Sequence, residues 1–390
     1  MKSRMKSLKQ YIGNYTRDFT NESLLDDEDT ILDDDTPVVE DWINEHYDYW
    51  GNLTIRQSDS KKYPEKYIAD CSAMVRVKQE YRDKMTSLTN GMFRWGNVDG
   101  GFVCKMCKSL KSLEGAPEKV DDDFNCSQCD NLISLEGSPK KVSGIFNCSG
   151  CKNLKTLEGS PEKVGKKFNC SSCHKLKNLK GISKKVRCEI DCDNCKNLES
   201  LEGSPEIVRS MCCTQCNKLK NLKGAPREVK FYFHCGGRLE SLEGAPEIVK
   251  RDFVCAYDKK LKTLEGAPKE VGREFDCSEC SNLISLEGAP EEVGGCFVCS
   301  YCENLETLKG SPRKVAEDFY CIGCKNLKSL EGGPETVGWD MKCGKCESLI
   351  ITKQDKINYS INRRASIPRK IRNSGIAIDP DFLDAFFDSI

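Results

Sequence analysis

Residues 124–142 read F-N-C-S-Q-C-D-N-L-I-S-L-E-G-S-P-K-K-V, and residues 146–164 read F-N-C-S-G-C-K-N-L-K-T-L-E-G-S-P-E-K-V. The two stretches begin 22 residues apart and carry the same residue types at the same places. Related stretches follow one another about twelve times between residues 101 and 350. A fixed period of this length is typical of a solenoid, in which a unit buries its apolar face only by stacking on its neighbours.

Each unit opens with an alternating pattern that predicts a short strand. In Phe-x-Cys the Phe and Cys share one side of the strand, because successive side chains point to opposite faces. A second Cys, two Leu residues, a Gly-x-Pro corner and a Val complete the unit, and Gly and Pro are the residues that permit and fix sharp turns. The position of the Phe is apolar and large in every unit: Phe102, Phe124, Phe146, Phe168, Ile190, Met211, Phe233, Phe253, Phe275, Phe297, Phe319 and Met341.

The order of these residues resembles a known repeat family. Phe124-x-Cys126-x-x-Cys129-x-x-Leu132 is similar to the leucine-rich-repeat core L-x-L-x-x-(N/C)-x-(x)-L, although Phe and Cys replace its first two Leu residues. The resemblance covers about two thirds of the chain and implies parallel strands on a concave face. The Glu-Gly-(Ala/Ser)-Pro-x-x-Val units, with the acidic leader around residues 23–29, also resemble repeat proteins of tailed bacteriophages of gut bacteria.

The predicted fold class is therefore a mainly β solenoid, poor in α/β character. The resemblance makes it a leucine-rich-repeat-like right-handed coil of about twelve 22-residue repeats with short parallel strands, a small N-terminal cap and a C-terminal helix. The helix either caps the last repeat or docks into a groove of another protein. The predicted segments are a flexible acidic leader (1–35), a capping region (36–100), the solenoid (101–350) and a basic linker with an amphipathic helix (351–390).

Charge and hydropathy exclude several classes of protein. The chain has 60 Lys and Arg against 61 Asp and Glu, a net charge of −1, which gives no electrostatic reason to expect nucleic acid or an anionic membrane as a partner. No apolar run is long enough to span a bilayer, and no apolar segment follows the basic residues 1–10 as in a secretory signal. We expect a cytoplasmic protein, in the host cytoplasm if a phage encodes it, with association with the virion as the alternative.

The 26 cysteines permit three interpretations. Neighbouring Cys-x-x-Cys pairs could bind Zn²⁺, stacked cysteines could form disulfides or act in redox chemistry, or both columns could serve as small buried hydrophobes and weak hydrogen-bond donors. The units at Cys235 and Cys255 keep the strand Cys and lose its partner, whereas a metal site would lose its ligands together. This favours packing, with no metal and no cofactor, and leaves zinc and disulfides as alternatives.

No catalytic set is visible in the sequence. The three histidines lie far apart, no cysteine has a His or acid at catalytic spacing, and the glycines follow the repeat rather than a phosphate-binding pattern. We therefore predict that the protein is not an enzyme and has no small-molecule substrate.

The strand residues between Phe and Cys change along the chain. Early units carry Asn and Ser there, whereas later units place larger residues on or beside the predicted concave face: Tyr232, His234, Tyr257, Tyr301 and Tyr320. Tyr is frequent at binding hot spots. The hypothesis is that this face of a monomeric chain binds an unidentified protein partner. The alternatives are that these residues are incidental surface aromatics, and that the protein is a structural or virion-associated scaffold anchored through its termini.

Overall fold

The computed structural model describes residues 36–58, 67–183, 185–186 and 188–362. The predicted leader (1–35) and the predicted C-terminal helix lie outside these residues. Helix α1 spans Thr36–His46 and helix α2 spans Lys353–Asn358, with a 3₁₀ turn at Gln79–Tyr81. The strands in chain order are β1 Tyr47–Tyr49, β2 Leu53–Gln57, β3 Tyr67–Cys71, β4 Val75–Val77, β5 Phe93–Val98, β6 Phe102–Val103, β7 Lys119–Val120, β8 Phe124–Asn125, β9 Lys141–Val142, β10 Ile145–Asn147, β11 Lys163–Val164, β12 Lys167–Asn169, β13 Glu189–Asp191, β14 Ile207–Val208, β15 Ser210–Thr214, β16 Glu228–Val229, β17 Tyr232–Gly236, β18 Ile248–Val249, β19 Asp252–Val254, β20 Glu270–Val271, β21 Phe275–Asp276, β22 Glu292–Val293, β23 Phe297–Val298, β24 Lys314–Val315, β25 Phe319–Tyr320, β26 Thr336–Val337, β27 Asp340–Lys342 and β28 Ser360–Asn362.

Within the described residues these strands form three sheets that follow the stacking direction of the turns. The long sheet has 15 strands in the order β1-β4-β6-β8-β10-β12-β13-β15-β17-β19-β21-β23-β25-β27-β28. Its pairs are parallel except β1 with β4. Two side sheets, β11-β9-β7-β5-β3-β2 and β14-β16-β18-β20-β22-β24-β26, carry the Val column that ends each unit.

The predicted fold class is confirmed, since the chain is a mainly β solenoid of about 13 turns of ~22 residues with parallel strands and little helix. The turn beyond the expected twelve comes from the segment predicted as a cap. Val75 in β4 is in register with Phe102. Val77 and Leu88 are buried, and they take the places that the strand Cys and a Leu occupy in later turns. Val98 is likewise in register with Val120.

The core consists of columns of identical side chains. Phe102, Phe124, Phe146 and Phe168 stack with ring centroids 5.2–5.6 Å apart. After Ile190 and Met211 the stack resumes from Phe233 to Phe319 with centroids 5.2–5.7 Å apart. Offset aromatic pairs of this kind contribute about 0.5–1.5 kcal/mol each beyond the area they bury.

The Gly of each corner is required by close stacking as well as by its backbone conformation. Gly137 has φ of 84°, and a Cβ atom there would lie 2.3 Å from the backbone nitrogen of Glu114 in the preceding turn. Only Gly adopts this conformation without a steric penalty. A side chain at this corner would therefore push neighbouring turns apart.

Charges on the surface form ladders between successive turns. The sequence shows a column of Glu at 114, 136 and 158 that Lys interrupts in later turns. In the structure each of these Lys residues pairs with a Glu one turn away: Lys180 with Glu202 at 2.8 Å, Lys223 with Glu243 at 3.0 Å and Lys309 with Glu287 at 2.9 Å. The pairs are exposed, so each contributes about 0–1 kcal/mol and mainly offsets the repulsion of a like-charge column.

Both described ends of the solenoid carry structure that covers a terminal turn. At the N-terminal end the rings of Tyr47 and Trp95 lie 6.0 and 5.8 Å from that of Phe102, the first ring of the Phe column. At the other end β28 extends the long sheet beyond residue 350, into the segment predicted as a linker. The hydroxyl of Tyr359 donates to the carbonyl of Pro334 at 2.7 Å, which fixes this segment on the last turn.

Candidate functional site

One face of the long sheet points away from the core, and we call it the outer face. Its side chains occupy four positions in each turn: the residue before the Phe-column residue, and the residues one, three and four places after it. The Phe and Cys between them are fully buried in the core. Because strands alternate, the same short segment supplies both the core and this surface.

In the early turns most outer-face side chains are polar, and their amides are hydrogen-bonded within their own turn. Asn147 and Asn169 follow the Phe column, and the Oδ1 of each accepts the backbone N–H of the Ser two residues later, at 3.0 and 2.9 Å. The amide oxygens are therefore already used by their own turn. These turns present little chemistry that would distinguish one partner from another.

Carboxylates become frequent on the outer face from β13 onward. Lys167 Nζ lies 2.9 Å from Glu189 and 2.8 Å from Asp191. Asp193 accepts the backbone N–H of Thr214 at 2.6 Å. Burial raises the pKa of the Asp193 carboxyl, and the neighbouring charge of Asp191 raises it further. The charge of Lys167 is therefore shared among several acids.

Two of the predicted residues form a stacked pair on β17. The rings of Tyr232 and His234 are 4.6 Å apart at an angle of 28°. Burial raises the pKa of Tyr232, and its hydrogen bond with Glu189 adds to the rise. Burial lowers the pKa of His234, opposed by the charges of Asp252 and Glu189, so the imidazole is predominantly neutral at pH 7.

An apolar cluster separate from the main core lies on the outer face of β23 and β25. Cys296, Val298, Tyr320 and Ile322 are buried in it, and Tyr301 packs against them. The Tyr320 hydroxyl donates to Asp318 at 2.7 Å, and Lys342 Nζ reaches the same carboxylate at 2.8 Å while lying 4.8 Å from the Tyr320 ring centroid. Apolar side chains on the surface side of a sheet are unusual unless something packs on them.

Tyr257 and Tyr301 occupy the fourth outer position of their turns, with φ of 64° and 57°. A Cβ at Gly323 would lie 2.6 Å from the Tyr301 ring, so the absence of a side chain there allows the ring to rest against the next turn. Tyr257 is 40% exposed, and burial together with the charge of Glu279 raises its pKa to about 12. Tyr257 is therefore the predicted residue most accessible to another molecule.

The structure places all five predicted residues on the outer face and brings some of them together. Tyr232 pairs with His234, and Tyr301 packs with Tyr320, whereas Tyr257 lies on a turn between the two groups. Their role in binding stays a prediction. The sequence reasoning missed the apolar Cys296, Val298 and Ile322 and the acids that accompany them. The sequence did contain a sign of the apolar cluster, because Val replaces the usual Asn between Phe and Cys at residues 254 and 298.

The two cysteine columns have hydrogen-bonding partners in the solenoid. The second Cys of a unit donates its thiol to the carbonyl of the strand Cys one turn earlier, at 2.9–3.3 Å, as Cys129 does to Cys104 and Cys280 to Cys255. Burial is the main cause of the raised pKa of strand thiols such as Cys126. The geometry agrees with the packing and hydrogen-bonding interpretation. No grouping of three or more His, Cys, Asp or Glu suited to a metal ion occurs in the part of the chain that the structure describes.

The irregular ninth turn explains how a ladder Cys can be replaced. Asp258 stands at the position of the second Cys and is fully buried. Its Oδ2 accepts the backbone N–H of Leu239 at 3.0 Å, in the shortened loop of the turn before. Burial raises the Asp258 pKa to about 6. The Asp258 carboxylate therefore accepts a hydrogen bond from a backbone N–H group of the shortened loop, which points into the core.

No described helix combines the length and apolar character needed to cross a membrane. The chain matches no protein-family model, no curated protein and no solved structure. Its described residues form a cysteine-rich β-solenoid of about 13 turns with ~22-residue repeats.

Proposed function

We propose that the protein is a non-enzymatic interaction module whose outer face, between β17 and β25, binds a protein partner. The observation that carries the proposal is the apolar cluster of Cys296, Val298, Tyr320 and Ile322 on the surface side of the long sheet, with Tyr301 at its edge. Aromatic and apolar groups bordered by charged ones are the composition of binding hot spots.

The leucine-rich-repeat resemblance supports the same surface. In that family the strand face is the concave one, and it corresponds to the outer face of this long sheet. We also propose that a phage encodes the protein and that it acts in the host cytoplasm. The phage origin rests on the resemblance of the Glu-Gly-(Ala/Ser)-Pro units alone.

A photo-crosslinking experiment tests the location of the surface. A benzophenone amino acid replaces Tyr257 in one variant and Met106 in a matched control, since both side chains are 40% exposed and hold the same position in their turns with φ of 64° and 63°. After irradiation in reduced cell lysate, we expect a discrete crosslinked protein at position 257 and none at 106. Equal products at both positions would contradict the proposal.

A substitution measures the contribution of the same residue. We expect Tyr257→Ser to weaken retention of the crosslinked partner at least tenfold, about 1.4 kcal/mol, and Met106→Ser to leave it unchanged. Retention unaffected by Tyr257→Ser, Tyr232→Ser and Tyr301→Ser together would place recognition elsewhere.

The second candidate function is a structural or virion-associated scaffold anchored through its termini. It is favoured by the early turns, in which outer-face amides such as Asn147 and Asn169 are used within their own turn. Such turns add length rather than recognition. A partner captured only through residues 1–35 or 363–390 would support this alternative.

A further inference from the structure

The acids of the outer face are segregated from the cations of the chain. From β13 to β25 eight acids stand at outer positions, and no Lys or Arg does. Over the whole chain the two signs are nearly equal, at 60 against 61. The acids are Glu189, Asp191, Asp193, Asp252, Glu274, Asp276, Glu279 and Asp318.

Cations bordering this surface neutralise only part of it. Lys167 and Lys342 stand at its two ends and pair with the nearest acids, and Arg273 lies 3.6 Å from Asp252. Among the described residues no cation forms an ion pair with Asp193, Asp276 or Glu279. The charges of Lys167 and Lys259 act on Asp193 and Glu279 without forming an ion pair, so the negative charge along the middle of the face is only partly compensated.

Burial and mutual repulsion act on these same carboxyls. The Asp276 side chain is 2% exposed between Val254 and Val298 on the neighbouring strands, and this burial raises its pKa. Burial also raises the pKa of Glu279, and the Asp276 charge adds to the rise. A cation brought to this place would stabilise the ionised form of both groups.

Aromatic rings are interleaved with the acids. Tyr232, Tyr257 and Tyr301 stand on turns adjacent to the acidic ones. The protein already places one of its own cations on a ring at this surface, since Lys342 lies 4.8 Å from the Tyr320 ring centroid. Rings and carboxylates together are the two groups that bind a guanidinium or ammonium ion.

We propose that the occupant of the outer face is an extended peptide segment of a partner protein, rich in Arg and Lys, that runs across the strands from β13 to β25. This inference rests on the proposed function and adds the chemistry of the partner. Seven strands spaced about 4.8 Å apart span about 29 Å, which an extended segment of about nine residues matches at ~3.3 Å per residue. The acidic face disfavours nucleic acid by the same charge argument.

The repeats themselves supply substitutions that remove charge and keep the fold. Asn occupies the position of Asp276 in earlier turns and makes the same bond to the backbone N–H two residues later. Gln128 holds the position of Glu279, with φ of 58° against 57°. The double variant Asp276→Asn, Glu279→Gln therefore uses residues that these positions already accept.

The test measures binding of a fluorescein-labelled decapeptide of alternating Arg and Ser to the full chain by fluorescence anisotropy. We expect saturable binding that weakens with salt, and a loss of at least tenfold in the double variant. The control variant Glu206→Gln, Glu291→Gln removes two exposed acids beside the side sheets and should bind as the parent does. The control peptide of alternating Glu and Ser should not bind.

Three outcomes overturn the inference. The Arg–Ser peptide does not bind, or it binds both double variants equally, or it binds only after Arg363, Arg364, Arg369, Lys370 and Arg372 are changed to Gln, which would make the chain's own basic segment the occupant. A partner that still crosslinks at position 257 of the Asp276→Asn, Glu279→Gln variant with undiminished yield would leave the proposed function standing and reject the cationic partner alone.

Discussion

Phe275 offers the most direct test of what holds the solenoid together. Its side chain is fully buried, and its ring stacks on Phe253 at 5.3 Å and on Phe297 at 5.2 Å. Phe275→Ala removes the ring from a closed column, and Phe→Ala changes in cores cost about 3–5 kcal/mol. Phe275→Met keeps most of the volume and loses only the two ring pairs, about 1–3 kcal/mol at 0.5–1.5 kcal/mol per pair.

The expected order is therefore parent, then Met, then Ala, and the column itself supports the intermediate value because Met211 and Met341 occupy the same position in other turns. Urea unfolding gives the free energies. Amide hydrogen exchange locates the effect, since in a solenoid each turn contacts only its neighbours.

We expect faster exchange in the turns of Phe253, Phe275 and Phe297 and little change in those of Phe124 and Phe146. The reasoning is refuted if Phe275→Met costs as much as Phe275→Ala, because ring stacking and volume would then not be separable as argued. It is also refuted if exchange accelerates equally in the distant turns.

Three further predictions concern single positions. Because the folded-state pKa of Asp258 is raised to about 6, stability should fall as the pH rises from about 4 to about 6, by up to about 3 kcal/mol, and Asp258→Asn should remove this slope in urea unfolding. Gly137→Ala should destabilise the protein by about 2 kcal/mol or more in the same assay, since φ is 84° and the new Cβ meets Glu114; a neutral result would contradict the stacking geometry. Cys346 should be the first thiol alkylated at pH 7 in peptide mapping by mass spectrometry, because it is only half-buried and the side chains of Cys321 and Cys324 lower its pKa, whereas burial raises the pKa of strand thiols; faster alkylation of Cys126 would refute this.

The period was sufficient to predict the core. Phe124, Cys126 and Leu132 recur in register with their copies, and the structure buries every one of these columns. This works because a stacked fold repeats its environment, so a residue type that recurs every turn reports one buried site many times. The salt-bridge ladders follow from the same argument, since Lys180 interrupts a column of Glu.

The first turn was not predictable from the period. Val75 and Phe102 are paired in the long sheet but are 27 residues apart, because the 3₁₀ turn at Gln79–Tyr81 and the residues after it lengthen the loop. At the other end, β28 follows α2, whose capping box of Thr352 and Asp355 fixes its start, and neither element repeats the motif. Terminal turns have a neighbouring turn on one side only, so different contacts determine which residues they need.

The sequence predicted on which face of the sheet the candidate residues lie, but not how exposed their side chains are. Alternation places Val298 on the outer face, yet its side chain is 1% exposed, because neighbouring side chains of the apolar cluster, such as Tyr320, cover it. Exposure on a sheet face depends on cross-strand neighbours that one repeat does not contain. Alternation along a strand predicts only the direction of a side chain, so Tyr257 and Tyr320 were predicted alike on or beside the surface. In the structure Tyr257 is 40% exposed and Tyr320 is buried.

The net charge of the whole chain is likewise a poor guide to the charge of one surface. A net charge of −1 indicates no preference among partners when charges are mixed at random over a surface. In this solenoid a position in the repeat becomes a column in space, so the chain can balance its charges in sequence and separate them in structure. Lys and Glu alternate in the ladder of Lys223 and Glu243, while acids such as Asp276 and Glu279 collect on the outer face. For a repeat protein the electrostatic argument about partners therefore has to be made for each column, and the excess of acids in the outer-face columns is the reason for proposing a cationic partner.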